Sequence, residues 1–130
     1  MADEQSDKRW FIDLDWLEQN ERSFLVLAKG CLCPQCRERL EGEGEEVSAA
    51  DLLANIRDCC SKAPGFITEK SPILESVFRL FLANGNQPLD LKELGKQLVE
   101  RQGGFPRRTS AAVLSRLLGN ERHYGLRQVA

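Results

Sequence analysis

Five cysteines fall within residues 31–60 of a 130-residue chain, and they are the side chains best suited to chemistry. Cys33-Pro34-Gln35-Cys36 has the two-residue spacing that lets both thiolates face one metal ion from a tight turn. A tetrahedral zinc site takes four ligands, usually from two separated pieces of chain, and Cys59-Cys60 offers the second piece. Adjacent cysteines can both ligate when the end of their helix distorts, and Cys31 is an alternate ligand in place of one of the four. The single histidine, His123, lies far along the chain. A closed set of four thiolates makes a bound Zn2+ structural rather than catalytic, a cross-link between two helices of a small, acidic region.

Other readings of the same cysteines remain open. Cys59 and Cys60 also fit as small core residues on the apolar arc of a helix, with the CPQC turn incidental. An odd number of clustered cysteines is a poor disulfide framework, and a reducing compartment keeps them as thiols. A redox dithiol of thioredoxin type needs a strand and then a helix in a βαβ unit, a pattern the sequence lacks.

The second candidate site is basic. The net charge of -2 hides an asymmetry, because residues 1–66 carry 8 Lys and Arg against 14 Asp and Glu, whereas residues 67–130 carry 10 against 6. Arg107 and Arg108 immediately precede a helix that Thr109 or Ser110 caps, and Ala111, Ala112, Ser115 and Arg116 share its outer side. Small residues beside an arginine let a helix approach the major groove of duplex DNA, and a helix N-terminus favours phosphate. Arg122 and Arg127 extend the contact to neighbouring phosphates, with Lys92 and Lys96 nearby if they join the same surface. The competing reading is a solvated helix face on a protein-interaction module, since a few arginines set non-specific affinity without being a signature.

These residues need elements to hold them. Trp10 to Leu14 reads as a short strand or extended docking segment, with Asp13 or Asp15 capping a helix from Trp16 to Lys29 that contains the Glu18–Arg22 pair and stops at Gly30. Glu41 to Glu46, reading EGEGEE, is expected to be a solvated loop. Ser48 and Asp51 resemble a capping box for a helix from Ala49 to about Ser61, which places Leu52, Leu53, Ile56, Cys59 and Cys60 within roughly one 100° arc. Lys62 to Ser71, with Pro64-Gly65, reads as a linker.

Beyond it, Ser71-Pro72 opens a helix with Ile73, Leu74, Val77, Phe78, Phe81 and Leu82 on its buried face, ending near Asn84-Gly85. Asp90 caps a second helix carrying Leu91, Leu94 and Leu98, ending near Gly103-Gly104. The third, capped by Thr109 or Ser110, turns Val113, Leu114, Leu117 and Leu118 inward and exits at Gly119-Asn120. His123 to Val129 reads as a strand, half of a wing. Trp10 and Trp16 are expected to pack beneath the cysteines, with docking of a partner as the other role.

The run ILESVFRLFLANGNQPLDLKELGKQL, then RTSAAVLSRLL and a closing YGLR, is similar to winged-helix, helix-turn-helix domains of the type found in the delta subunit of bacterial RNA polymerase and in some chromatin-associated proteins. The resemblance covers about the last sixty residues and implies a compact fold used in transcription, in which some members bind DNA and others only protein. The expected fold class is therefore mainly α: an N-terminal helical, zinc-knuckle-like unit over residues 1–66 and a winged-helix domain over residues 67–130. The expected function is a zinc-stabilised nucleic-acid-binding regulator, with an adaptor docking on a complex such as RNA polymerase as the alternative. An enzyme is not expected: no histidine adjoins a cysteine, and there is no phosphate-binding glycine loop or apolar carboxylate pair. A charged N-terminus and the lack of any apolar run near the roughly 18 residues that span a bilayer point to a cytoplasmic protein without a membrane partner.

Overall fold

The computed structural model describes residues 8–43, 48–63, 65–68, 70–101 and 110–129. Seven helices and three short strands alternate along this described chain: β1 (Arg9–Ile12), α1 (Leu14–Gln19), α2 (Phe24–Lys29), α3 (Pro34–Glu43), α4 (Ala49–Asp58), a 3-10 turn (Cys60–Lys62), α5 (Ile73–Ala83), β2 (Leu89–Asp90), α6 (Leu91–Arg101), α7 (Ala111–Gly119) and β3 (Leu126–Gln128). The architecture is mainly helical with a small sheet, and among the described residues no helix is long and apolar enough to cross a membrane.

Local signals account for most helix starts. A short oxygen-bearing side chain ahead of a helix accepts a backbone N–H that has no partner inside the first turn. Asp13 accepts from Trp16 at 3.1 Å, Ser23 from Val26 at 3.2 Å, Ser48 from Asp51 at 3.1 Å, Asp90 from Glu93 at 2.8 Å, and Ser110 from Val113 at 3.3 Å. Thr109 and the Gly103-Gly104 stop lie outside the described residues, as do Gly44, Glu45 and Glu46.

Several local expectations change, among them the opening of α5, where Pro72 rather than Ser71 stands at the N-cap and no side chain caps it. The single helix over 16–29 is two, because Glu21 takes a left-handed φ of 58°, Arg22 N–H returns to the Leu17 carbonyl at 2.8 Å, and Ser23 caps a new start. The Glu18–Arg22 pair is thereby lost, and the Arg22 guanidinium lies 3.3 Å from His123 Nδ1 instead. The acidic loop expected from Glu41 begins inside α3, which continues to Glu43. The stretch expected as a linker also carries buried apolar groups: Phe66 and Ile67 are in the core, Arg79 donates to the Phe66 carbonyl at 3.0 Å, and Arg101 donates to the Ser61 carbonyl at 3.0 Å.

Residues 1–66 and 67–130 share one core, in which Ile12, Leu17, Leu52 and Ile56 pack in the same cluster as Phe78, Phe81, Leu94 and Leu114. The sheet has the order β2-β1-β3, all antiparallel, so the N-terminal strand lies between two strands from the other half. Trp10 pairs with Leu89 and Gln128, and Ile12 with Leu126. Asn86, at φ 62°, extends this junction by accepting Ile12 N–H at 2.8 Å and donating to Ile12 C=O at 2.9 Å. The tryptophans belong to this sheet region rather than to the underside of the cysteines: Trp10 lies beside Leu91, Leu118 and Leu126, and Trp16 under the guanidinium of Arg127.

Candidate metal centre and the outer face of α7

Two chain segments deliver thiols to one point. Cys33 immediately precedes α3 and Cys36 sits in its first turn, with Pro34 at the first helical position, where its missing N–H costs nothing. The CPQC segment expected as a turn is thus a helix start, which fixes the two thiols three residues apart on one side and points the helix N-terminus at them, where the helix dipole favours thiolates. The other pair depends on a break. Cys59 has φ -125° and ψ -67°, which ends α4, and Cys60 begins the 3-10 turn. This break is the helix-end distortion that two adjacent ligating cysteines require.

The four Sγ atoms of Cys33, Cys36, Cys59 and Cys60 all lie within 4.8 Å of one another. Cys36 to Cys59 is 3.3 Å and Cys60 to Cys33 is 3.5 Å. Tetrahedral zinc with Zn–S bonds of about 2.3 Å separates its sulfurs by about 3.8 Å, so the short pairs must open by a few tenths of an ångström and the widest close by up to about 1 Å to enclose an ion. Cys36 and Cys60 are buried, Cys33 half-buried and Cys59 exposed. The residues therefore fit a structural metal held by four soft donors.

Burial raises the Cys36 thiol, but hydrogen bonds from Asn55, Cys59, Cys33 and Cys60 outweigh it and bring the group down to about 7. Cys60 is pushed up to about 12, chiefly by burial. Cys59 is raised, first by its hydrogen bond with Cys36. One thiolate, Cys36, is thus favoured beside two thiols, Cys59 and Cys60, that are held protonated.

Cys31, the alternate ligand, stands apart from the four. Its Sγ approaches the Leu27 carbonyl at 3.7 Å inside the core, and burial raises its pKa. The plain-core reading of the cysteines therefore suits Cys31 and is open for the fully buried Cys60, but not for the exposed Cys59.

The basic candidates are divided. Arg107 and Arg108 lie outside the described residues. Ser110 caps α7, and Ala111, Ala112, Ser115 and Arg116 are all exposed on it, while Leu114 and Leu118 are buried. Lys92 and Lys96 are exposed on α6. Arg122 and Arg127, expected to reach phosphates, already have partners within the fold. Both donate to the Glu121 carbonyl, at 2.8 and 3.0 Å, and the Arg127 guanidinium sits 4.2 Å from the centre of the Trp16 ring.

Glu121 explains this arrangement. Its buried carboxylate accepts the backbone N–H groups of His123 and Tyr124 at one oxygen and that of Leu126, at 2.8 Å, at the other. A sole acid in a basic tail was a signal visible in the sequence, but its inward direction was not. Asn55, which touches the cysteine cluster, had no sequence signal beyond lying one turn before Cys59.

In comparisons with known proteins, no family model, no curated protein and no solved structure matches the chain.

Proposed function

We propose that this protein is a small cytoplasmic binding module, zinc-stapled at Cys33, Cys36, Cys59 and Cys60 and of winged-helix type in its C-terminal half, that regulates transcription by contacting duplex DNA. The exposed face of α7 carries the nucleic-acid reading: Ala111, Ala112 and Ser115 leave room for close approach and Arg116 supplies charge beside them. The order α5, β2, α6, α7, β3 supports the winged-helix reading, with three helices, a short strand between the first two and another after the third. A winged helix closes its sheet with a hairpin that follows the third helix, whereas here β1 from the N-terminal region takes the central place. The four thiols give the acidic region a structural role and no catalytic one, because all four donors are committed to holding the ion.

Binding of duplex DNA measured across a salt series tests the reading. Each phosphate contact contributes about 0.9 to the slope of log affinity against log salt. The triple variant Arg107→Ala, Arg108→Ala, Arg116→Ala should bind more weakly and lose roughly 2 to 3 units of slope. No binding by the parent protein at low salt would sink the proposal. Native mass spectrometry with and without a chelator gives the metal stoichiometry independently.

A second reading, an adaptor for a complex such as RNA polymerase, draws on a specific observation. Arg122 and Arg127 are engaged within the fold, while the apolar Leu14, at the start of α1, and Val129, just after β3, are 40% and 41% exposed. It expects function to survive loss of the three arginines and to fail on Leu14→Asp or Val129→Asp.

A further inference from the structure

We infer that Asn55 is a positioning residue for the metal-binding thiolates and that Arg39 sets its orientation, so the two form an outer shell linking α3 to α4. The inference rests on the metal-centre reading above and extends it to residues that bear no ligand atom.

Asn55 is half-buried on α4, and Arg39 is exposed on α3 three residues after Cys36. The Arg39 guanidinium donates to Asn55 Oδ1. A guanidinium has donors only, so this contact turns the amide oxygen towards Arg39 and leaves Nδ2 facing the sulfurs. Nδ2 then donates to Cys60 Sγ at 3.8 Å. The Asn55 carbonyl also accepts the Cys59 N–H at 2.9 Å, at the residue where α4 breaks. One residue therefore touches two of the four cysteines, Cys60 through its side chain and Cys59 through its backbone.

Four thiolates around a divalent ion leave a net charge of -2, and N–H groups aimed at sulfur stabilise that excess charge while fixing the side-chain rotamers. Outer-shell partners of this kind typically change metal affinity by about 10- to 100-fold. An alanine at 55 removes the N–H···S contact to Cys60. An aspartate keeps the shape and the bond to Arg39 but aims a carboxylate at the thiolates, so it should be the worse substitution.

The test measures zinc affinity by chelator competition, together with the thiolate-to-metal charge-transfer band of the cobalt-substituted protein. Asn55→Ala should weaken zinc binding by about 10-fold or more. It should also move the cobalt band to lower energy, since a sulfur that has lost a donor holds its electrons less tightly. Asn55→Asp should weaken binding further, and Arg39→Ala should show a smaller loss that largely disappears in the Asn55→Ala background. Ile56→Val, in the buried face of the same helix, controls for stability and should leave the band where it is. An Asn55→Ala protein with parental zinc affinity and band position overturns the inference and leaves the metal centre intact. A parent protein that takes up neither zinc nor cobalt overturns the metal centre and the inference with it.

Discussion

If the four clustered thiols hold a metal as proposed, removing it should melt α3 while the rest of the molecule stays folded. Of the α3 side chains the structure describes, Cys36 alone is fully buried and Leu40 partly so; Pro34, Gln35, Arg37, Glu38 and Arg39 face solvent. Full burial of a leucine stabilises by about 1.5–3 kcal/mol, and Leu40 realises only part of that. Ordering one residue of backbone costs roughly 1–2 kcal/mol, and an isolated helix shorter than about 12–15 residues is marginal in water. The ten residues of α3 therefore depend on the tether at Cys33 and Cys36.

By contrast, α5 buries Ser76, Val77, Phe78, Leu80, Phe81 and Leu82, and the sheet and α4 pack on that same core without using the metal. Chelation should reduce the far-ultraviolet helical signal by the equivalent of about ten residues and abolish hydrogen-exchange protection at Arg37 and beyond. The amides of α5 and β1 should keep theirs. Exchange read by mass spectrometry before and after metal removal measures this directly. Unchanged protection across α3 in protein proven metal-free refutes the reasoning, and so does cooperative loss of α3 and α5 together.

Other outcomes follow from single side chains. Glu121→Ala strips the acceptor from three backbone N–H groups at the exit of α7; at about 1–3 kcal/mol for each unsatisfied group, the loss should reach about 3–5 kcal/mol in urea unfolding, and a loss under about 1 kcal/mol contradicts the assigned role. Gly125→Ala combines a φ of +71° with a Cβ only 2.7 Å from Cγ of the buried Leu17; it should cost about 2–4 kcal/mol in thermal melts, and Leu17→Ala should relieve part of that cost. In metal-free protein, Cys60, held near 12 against an ordinary 9.0, adds stability that is present below pH 9 and lost as pH rises towards 12. Urea midpoints of the metal-free form should therefore fall as pH rises from 9 towards 12, and a midpoint flat over that range contradicts the shift.

Much of the helical content was legible because it is local. Ser48, Asp90 and Ser110 cap the helices they were expected to cap, and the apolar spacing of α5, α6 and α7 marks the faces that are buried. α3 escaped notice because PQCRERLEGE shows no apolar stripe, and its start is tied to cysteines whose value lies in a distant segment. The break at Glu21 was hidden because the residues on either side continue the helical pattern of the stretch.

The sequence by itself determined which residues were able to bind a metal: soft thiols at a two-residue spacing, paired with a second couple 23 residues on, with the single histidine, His123, far along the chain. It also determined where the helices begin, since a cap and its first turn lie within four residues of each other. Tertiary structure alone decided that Cys31 is excluded from the cluster while Cys59 and Cys60 converge, because that depends on how α4 ends against α3. It decided that β1 lies between β2 and β3, joining the two halves into one core, and that Arg122 and Arg127 turn back onto Glu121 and Trp16. Pairing of strands and the direction of a long charged side chain depend on partners many residues away, and no local pattern records where those partners will be.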